Sequence, residues 1–375
     1  MFGKTLGIIF TLAMLAAFVP VGHAIAQTAP PAAFACGAAP ATPAGMASTR
    51  PPSTGAASPI ASPAAGARLR PVADIPLPGG AVRFDYQSLD PTTGRLFIAH
   101  MGADQIVAFD TAAQRVVGTV DGVKTPTGVL AVPALGKVFV AETGRHDVAV
   151  IDARSLAVIA RTGTIGFPDG LAYAPLAKRV FVSDEAGGGE LVVDAATDKT
   201  VTTIDIGGEA GNTQYDAGSG CIVVAVQNRD QLVAIDPATD RIAGRVDLDA
   251  ACRTPHGVLI DAPARLAYVA CEDNARLVTV DLRAMRAIGT EAVGASPDVL
   301  AFDPGWRILY VASESGVVAI FDARQPALRP LGDYRAPHAH TVAVDPATHR
   351  VYLPLEDVAG KPVLRILAAA PPDRA

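Results

Sequence analysis

Residues 126–168 read PTGVLAVPALGKVFVAETGRHDVAVIDARSLAVIARTGTIGFP. The run Thr127 to Val132 is followed by a turn, then by Val138-Phe139-Val140-Ala141, a loop, the alternating run Val148-Ala149-Val150-Ile151-Asp152, and a fourth strand that leads to Gly166 and Pro168. Short β-branched runs of this kind, broken by Pro, Gly and Asp, read as four antiparallel strands joined by hairpins. The pattern recurs along the chain. Runs matching Val138 to Ala141 begin at Leu96, Val180, Ile222, Ala267, Leu309 and Val351. Their third residues fall at 98, 140, 182, 224, 269, 311 and 353, giving steps of 42, 42, 42, 45, 42 and 42. A constant period of this length with four strands per unit predicts a β-propeller of seven four-stranded antiparallel blades.

The turns support this reading. Asp90-Pro91-Thr92-Thr93-Gly94, Asp236-Pro237-Ala238-Thr239-Asp240 and Asp345-Pro346-Ala347-Thr348-His349 each combine a Pro that fixes φ with an Asp that can bond the local backbone. The seventh unit supplies three strands and ends near Leu367, while Pro71 to Leu77 aligns with fourth strands such as Arg115 to Thr119. The N-terminal segment is therefore expected to be the outer strand of blade seven, closing the ring with main-chain bonds.

With its Tyr/Phe-Val-Ala second strand, its Val-x-Val-Ile-Asp third strand and its Gly-x-x-Pro-Asp/His-Gly connection, the chain resembles the YVTN-type, YncE-like β-propeller repeat proteins of bacterial envelopes over roughly residues 70–367. The Asn of the family's motif is replaced here by Ala99, Ala141, Ser183, Ala225, Ala270, Ala312 and Pro354. The resemblance implies the fold and a place in the envelope. It brings no shared catalytic residue. Nucleic-acid binding by some relatives is not expected to carry over to an acidic body.

That acidity is partly hidden in the overall net charge of -6. Residues 1–70 contain Lys4, Arg50, Arg68, Arg70 and no acid, so the rest of the chain carries 27 basic against 37 acidic side chains, a net charge of -10. Phosphate backbones are held by clustered Lys and Arg, so nucleic acid is an unfavoured partner and cationic ligands suit the body better. Lys4, the apolar run Leu6 to Val19 and Ala24-Ile25-Ala26 read as a cleaved signal peptide over 1–26. Residues 27–70, nearly all Ala, Pro, Ser, Thr and Gly, read as a flexible linker with no bearing on stability, which leaves 71–375 as the propeller. The mature protein is expected to be periplasmic or secreted, without a membrane span, and monomeric.

The loop before each first strand and the loop after each second strand open on one end of a propeller. His100, Glu142 and Asp184 map to this end, as do Glu185, Glu272 and Glu314, which makes it the expected ligand-binding face. Where the innermost strands begin, the aligned positions of blades one to seven are Asp85, Thr127, Asp169, Gly211, His256, Asp298 and His340. Blades five, six, seven and one are neighbours in a closed ring, so His256, Asp298, His340 and Asp85 are expected to form an arc at the channel mouth. Imidazole and carboxylate together are ligands for Zn, Mn or Fe(II), so a divalent metal is the candidate cofactor, with Asp169 across the ring to orient water or ligand. Equally, such side chains can cap loops and bond to each other or to channel water.

The expected role is thus a binding or accessory module of the cell envelope, its partner a protein or small molecule at the acidic face. The alternative is a metal-assisted lyase or hydrolase at the channel mouth, with the metal as Lewis acid and a His as general base. A haem or quinone role has only the channel histidines behind it. The chain has no Gly-x-Ser-x-Gly elbow and no Cys-x-x-Cys-His, so nucleophilic catalysis and covalent haem have no anchor. Of the four Cys, Cys252 and Cys271 fall at one end of one blade and are expected to pair in an oxidising compartment, while Cys221 maps to the opposite end and is expected to stay reduced.

Overall fold

The computed structural model describes Cys36 and residues 68–372; the expected signal peptide and most of the expected linker lie outside these residues. Among the described residues are seven four-stranded antiparallel sheets and no α-helix. The sheets are the blades of a seven-bladed β-propeller. Blade two shows the plan: Pro126–Val132 lies innermost, followed outward by Lys137–Glu142, Asp147–Asp152 and Val158–Thr162.

The alternation of each strand explains the packing. Successive side chains point to opposite faces of a sheet. In the second strand of blade two, Val138 and Val140 face blade one, where they meet Phe97, Ala99, Ile106 and Ala108. Phe139 and Ala141 face blade three, where they meet Val180 and Val182. A cluster of this kind fills each of the seven interfaces between blades, including the one between blades seven and one, where Tyr352 and Ile366 pack with Ile98 and Phe109. The centres of the middle strands are mostly apolar because both their faces are covered. Outer strands alternate with solvent, as in Arg286–Ala292.

The ring closes as expected. Leu69–Pro76 pairs antiparallel with Lys361–Ala369 as the outer strand of blade seven. The strand starts two residues earlier than Pro71, so Leu69 and Arg70 belong to the sheet and not to the linker. Leu69 packs beneath Leu367 and so belongs to the blade's core.

At the end of the ring opposite the acidic loops, the Asp turns are built by the side chain: Asp90 Oδ1 accepts the N–H of Thr92 at 2.8 Å, and Oδ2 accepts the hydroxyl of Thr93 at 2.9 Å. Side chains at the starts of second strands then tie blade to blade. Lys137 reaches Asp198 at 2.7 Å, Arg179 reaches Asp240, Arg265 reaches Asp216, and Arg307 reaches Asp261.

In blade four the residue at this position is Cys221, and it is not reduced. It forms a disulfide with Cys36, their Cα atoms 5.0 Å apart. The sequence reading placed Cys221 alone at its end of the ring because the linker around Cys36 shows no periodicity to locate it. The fold brings Cys36 under blades four and five, where its N–H donates to Ser219 O at 3.0 Å and its side chain joins Leu282 and Met285. Cys252 and Cys271 form a second disulfide, with Cα atoms 5.2 Å apart.

Candidate functional site at the channel mouth

Five of the seven inner strands enter the ring through a bulge. In blade three the register with the second strand runs Pro168 to Asp184 and then Leu171 to Val182, and the same irregularity occurs at Pro126, Ala210, Pro255 and Pro297. A bulge turns its extra side chain away from the sheet. The Gly that follows lets neighbouring inner strands close in: a Cβ on Gly128 would lie 1.8 Å from Asp169 O, and one on Gly257 would lie 1.8 Å from Asp298 O. The Pro-x-Gly pattern is thus a device for pointing residue x into the channel mouth.

Asp85, Asp169, His256, Asp298 and His340 all converge there, each less than a tenth exposed. His256 Nε2 lies 3.3 Å from Asp298 Oδ1 and 3.8 Å from Asp169 Oδ2, and its Nδ1 lies 3.5 Å from Glu185 Oε1. His340 Nε2 lies 3.6 Å from Asp85 Oδ1 and 3.9 Å from Asp298 Oδ2. The ligand-capable atoms therefore fall into two groups, Asp85 with Asp298 and His340, and Asp169 with Glu185 and His256, each within 4.8 Å. The expected arc of Asp85, His256, Asp298 and His340 is in place, but His256 turns across Gly211 toward blade three. Gly211 permits this because it presents only backbone beside His256 Cα and O.

Tyr86 closes the floor. Its hydroxyl crosses the axis from blade one, donates to Asp169 Oδ2 at 3.1 Å, lies 3.3 Å from His256 Nε2 and accepts from Asn212 Nδ2 at 3.2 Å. Above it lies a cavity of about 330 Å³, lined by seven carboxylates (Asp85, Asp169, Glu185, Glu209, Glu272, Asp298, Glu314) and by Arg83, which pairs with Glu314 at 2.9 Å. Below it a cavity of about 210 Å³ is walled by Val129, Leu171, Val258 and Leu300.

Crowded, buried acids resist ionisation. Burial, and then the charge of Glu185, push Asp169 well above the usual carboxylate range. Burial raises Glu185 and Glu272 as well. Burial disfavours the imidazolium of His256 and His340, but the neighbouring carboxylates, Asp298 first for His256 and Asp85 first for His340, overcome it and hold both above the usual histidine range. The same imidazoles hold Asp298 low against its burial. The mouth is thus a site where positive charge is in demand.

Three of the expected face residues do other work. His100 is fully buried, stacked on Phe84 with ring centroids 3.9 Å apart and 3.2 Å from Gln105 Nε2. Glu142 accepts from the N–H of Lys124 at 2.8 Å and from Arg161 Nε at 2.7 Å. Asp184 accepts three backbone N–H groups, from Gly166, Phe167 and Gly187, at 2.8 to 2.9 Å. None of the three lines the cavity. In the other direction, the sequence reading placed Glu185 only on the general face and passed over Tyr86, Asn212 and Arg83. A signal for two of them exists: the column one residue beyond the inner-strand position reads Tyr86, Gly128, Gly170, Asn212, Gly257, Val299 and Thr341. An aromatic in a column of mostly small residues marks a side chain that must fill the axis.

No family model matches the chain, and a search of curated sequences found no match. Among solved structures, a chain of hydrazine synthase from Kuenenia stuttgartiensis is similar, with a TM-score of 0.66 and 14% identity over 79% of this chain and 97% of that one. At that identity the likeness speaks for the fold, and the fold is the seven-bladed β-propeller.

Proposed function

We propose that the protein is an exported binding module of the cell envelope, of the YVTN-type to which its repeats are similar, and that its ligand site is the channel mouth and its ligand a cation. One observation carries the reading: seven carboxylates and one arginine line a single cavity at the end of the ring, and the innermost of them are buried. Field lines concentrate in such a concave, low-dielectric site and attract positive charge. Both disulfides support an oxidising compartment, and no helix among the described residues is long and apolar enough to cross a membrane.

The test is a thermal-shift panel of Mg, Mn and Zn salts and small organic amines at low and high ionic strength. At least one cation should raise the melting temperature of the wild type, and the Asp169→Asn, Asp298→Asn variant should lose that shift. A wild type indifferent to every cation would overturn the proposal. A second reading, a metal-assisted lyase or hydrolase, is favoured by the imidazoles among the acids, because that donor set makes a bound ion a Lewis acid beside a candidate base.

A further inference from the structure

Deepening the cation-site reading, on which this inference rests, we propose that the channel mouth is a two-metal centre. One ion lies among Asp85, Asp298 and His340, the other between Asp169 and the Nε2 of His256, with Glu185 on the Nδ1 side of that ring, and the carboxylate of Asp298 bridges the two ions.

Spacing is the first argument. Donor atoms about 2.1 Å from an ion stand about 3.0 to 3.4 Å from their neighbours in its shell and about 4.2 Å across it. The imidazole-to-carboxylate distances here run from 3.3 to 3.9 Å, longer than charge-assisted hydrogen bonds and within the range that donors around an ion occupy. Unmet bonding capacity is the second. His340 is only 4% exposed and its Nε2 has no hydrogen-bond partner, and Asp298 is 6% exposed with no partner for Oδ1. Buried polar atoms without partners are rare; His340 Nε2 faces Asp85 and Asp298, and Asp298 Oδ1 faces His256.

Asp298 supplies the third argument. Its Oδ1 is directed at His256 and its Oδ2 at His340, so its two oxygens serve different groups, as a bridging carboxylate's do. Charge is the fourth. Asp85, Asp169, Glu185 and Asp298 carry four negative charges when ionised, which two divalent ions with neutral imidazoles balance in full. A single divalent ion balances only half of that charge. The mixture of imidazole and carboxylate suits Zn(II) or Mn(II) better than Ca(II), which prefers all-oxygen shells.

The experiment is equilibrium dialysis of the chelator-stripped full chain against Zn(II) or Mn(II) in high salt, with bound metal counted by elemental analysis. Two equivalents are expected for the wild type, and one each for His256→Ala and His340→Ala. Mn(II)-loaded wild type should show the exchange-coupled spin-resonance signal of a pair, which Asp298→Asn should abolish. Saturation of the wild type at one equivalent, or a spectrum of isolated ions at full loading, overturns the two-metal centre. Because these readouts need no variant, a substitution that fails to fold does not shield the idea. Binding of organic amines with no metal bound would sink the metal centre and leave the cation site standing; no binding of any cation would sink both.

Discussion

Replacing Cys36 by Ala breaks the bridge to Cys221 and leaves the Cys221 thiol in its buried place. The bridge spans 185 residues of chain, and the Cys252–Cys271 bridge spans 19. In the chain-entropy model, a cross-link restricts the unfolded chain by an amount that grows with the logarithm of the loop, so the long bridge contributes about 5 kcal/mol and the short one about 3 kcal/mol. Within that model the difference of about 2 kcal/mol depends only on the ratio of loop lengths. Urea unfolding under non-reducing conditions, followed by circular dichroism and by the fluorescence of the single tryptophan, Trp306, measures it. With a slope of about 3 kcal/mol per molar urea, Cys36→Ala should unfold roughly 0.7 M earlier than Cys252→Ala. An unchanged midpoint for Cys36→Ala, or a larger loss for Cys252→Ala, would refute the reasoning. The same bridge means that removal of residues 27–68 costs stability, contrary to the reading of that segment as an idle linker.

Three further outcomes are expected. Deleting the chain through Leu77 strips the partner from Lys361–Ala369 and exposes a sheet edge, so this truncation should aggregate or melt well below one that stops at residue 67; equal melting temperatures would count against closure by this strand. Gly257→Ala should lose about 3 kcal/mol or fail to fold, because its Cβ would meet a backbone carbonyl oxygen at 1.8 Å, whereas Gly80→Ala, with nothing within 4 Å, should be silent in the same melt. Glu190 is fully buried, both of its oxygens lack partners, and burial, followed by the charge of Asp184, raises its pKa well above 4.5. The folded state therefore keeps a proton that the unfolded chain releases, so this group's contribution is intact below about pH 4.5 and is lost as pH rises toward the folded pKa. Glu190→Gln should remove that loss, flattening the fall in stability as pH rises above 4.5 by up to roughly 1.4 kcal/mol per pH unit; parallel profiles for variant and wild type would contradict it.

The sequence by itself determined the number of blades, the order of strands and the closing strand. These rest on local rules: the two-residue period of a strand, the Pro and Asp of a hairpin turn, and a step of 42 residues repeated with one exception. It also carried the column of Asp85, Asp169, His256, Asp298 and His340, because a repeat puts equivalent positions at equivalent depth. Tertiary structure decided how that column divides. Whether His256 turns to Asp298 alone or also to Asp169 depends on Gly211, which adds no side chain between them, and on Tyr86 reaching across the axis from blade one. Those contacts join residues far apart in sequence, and no period records them. His100, Glu142 and Asp184 share the same end of the ring but are consumed by Phe84, Arg161 and loop N–H groups, a distinction that depends on side-chain direction and not on position in the repeat. Cys36 is the extreme case. Its segment has no hydrophobic rhythm, so nothing local says where it lies, and only the packing beneath blades four and five brings it to Cys221.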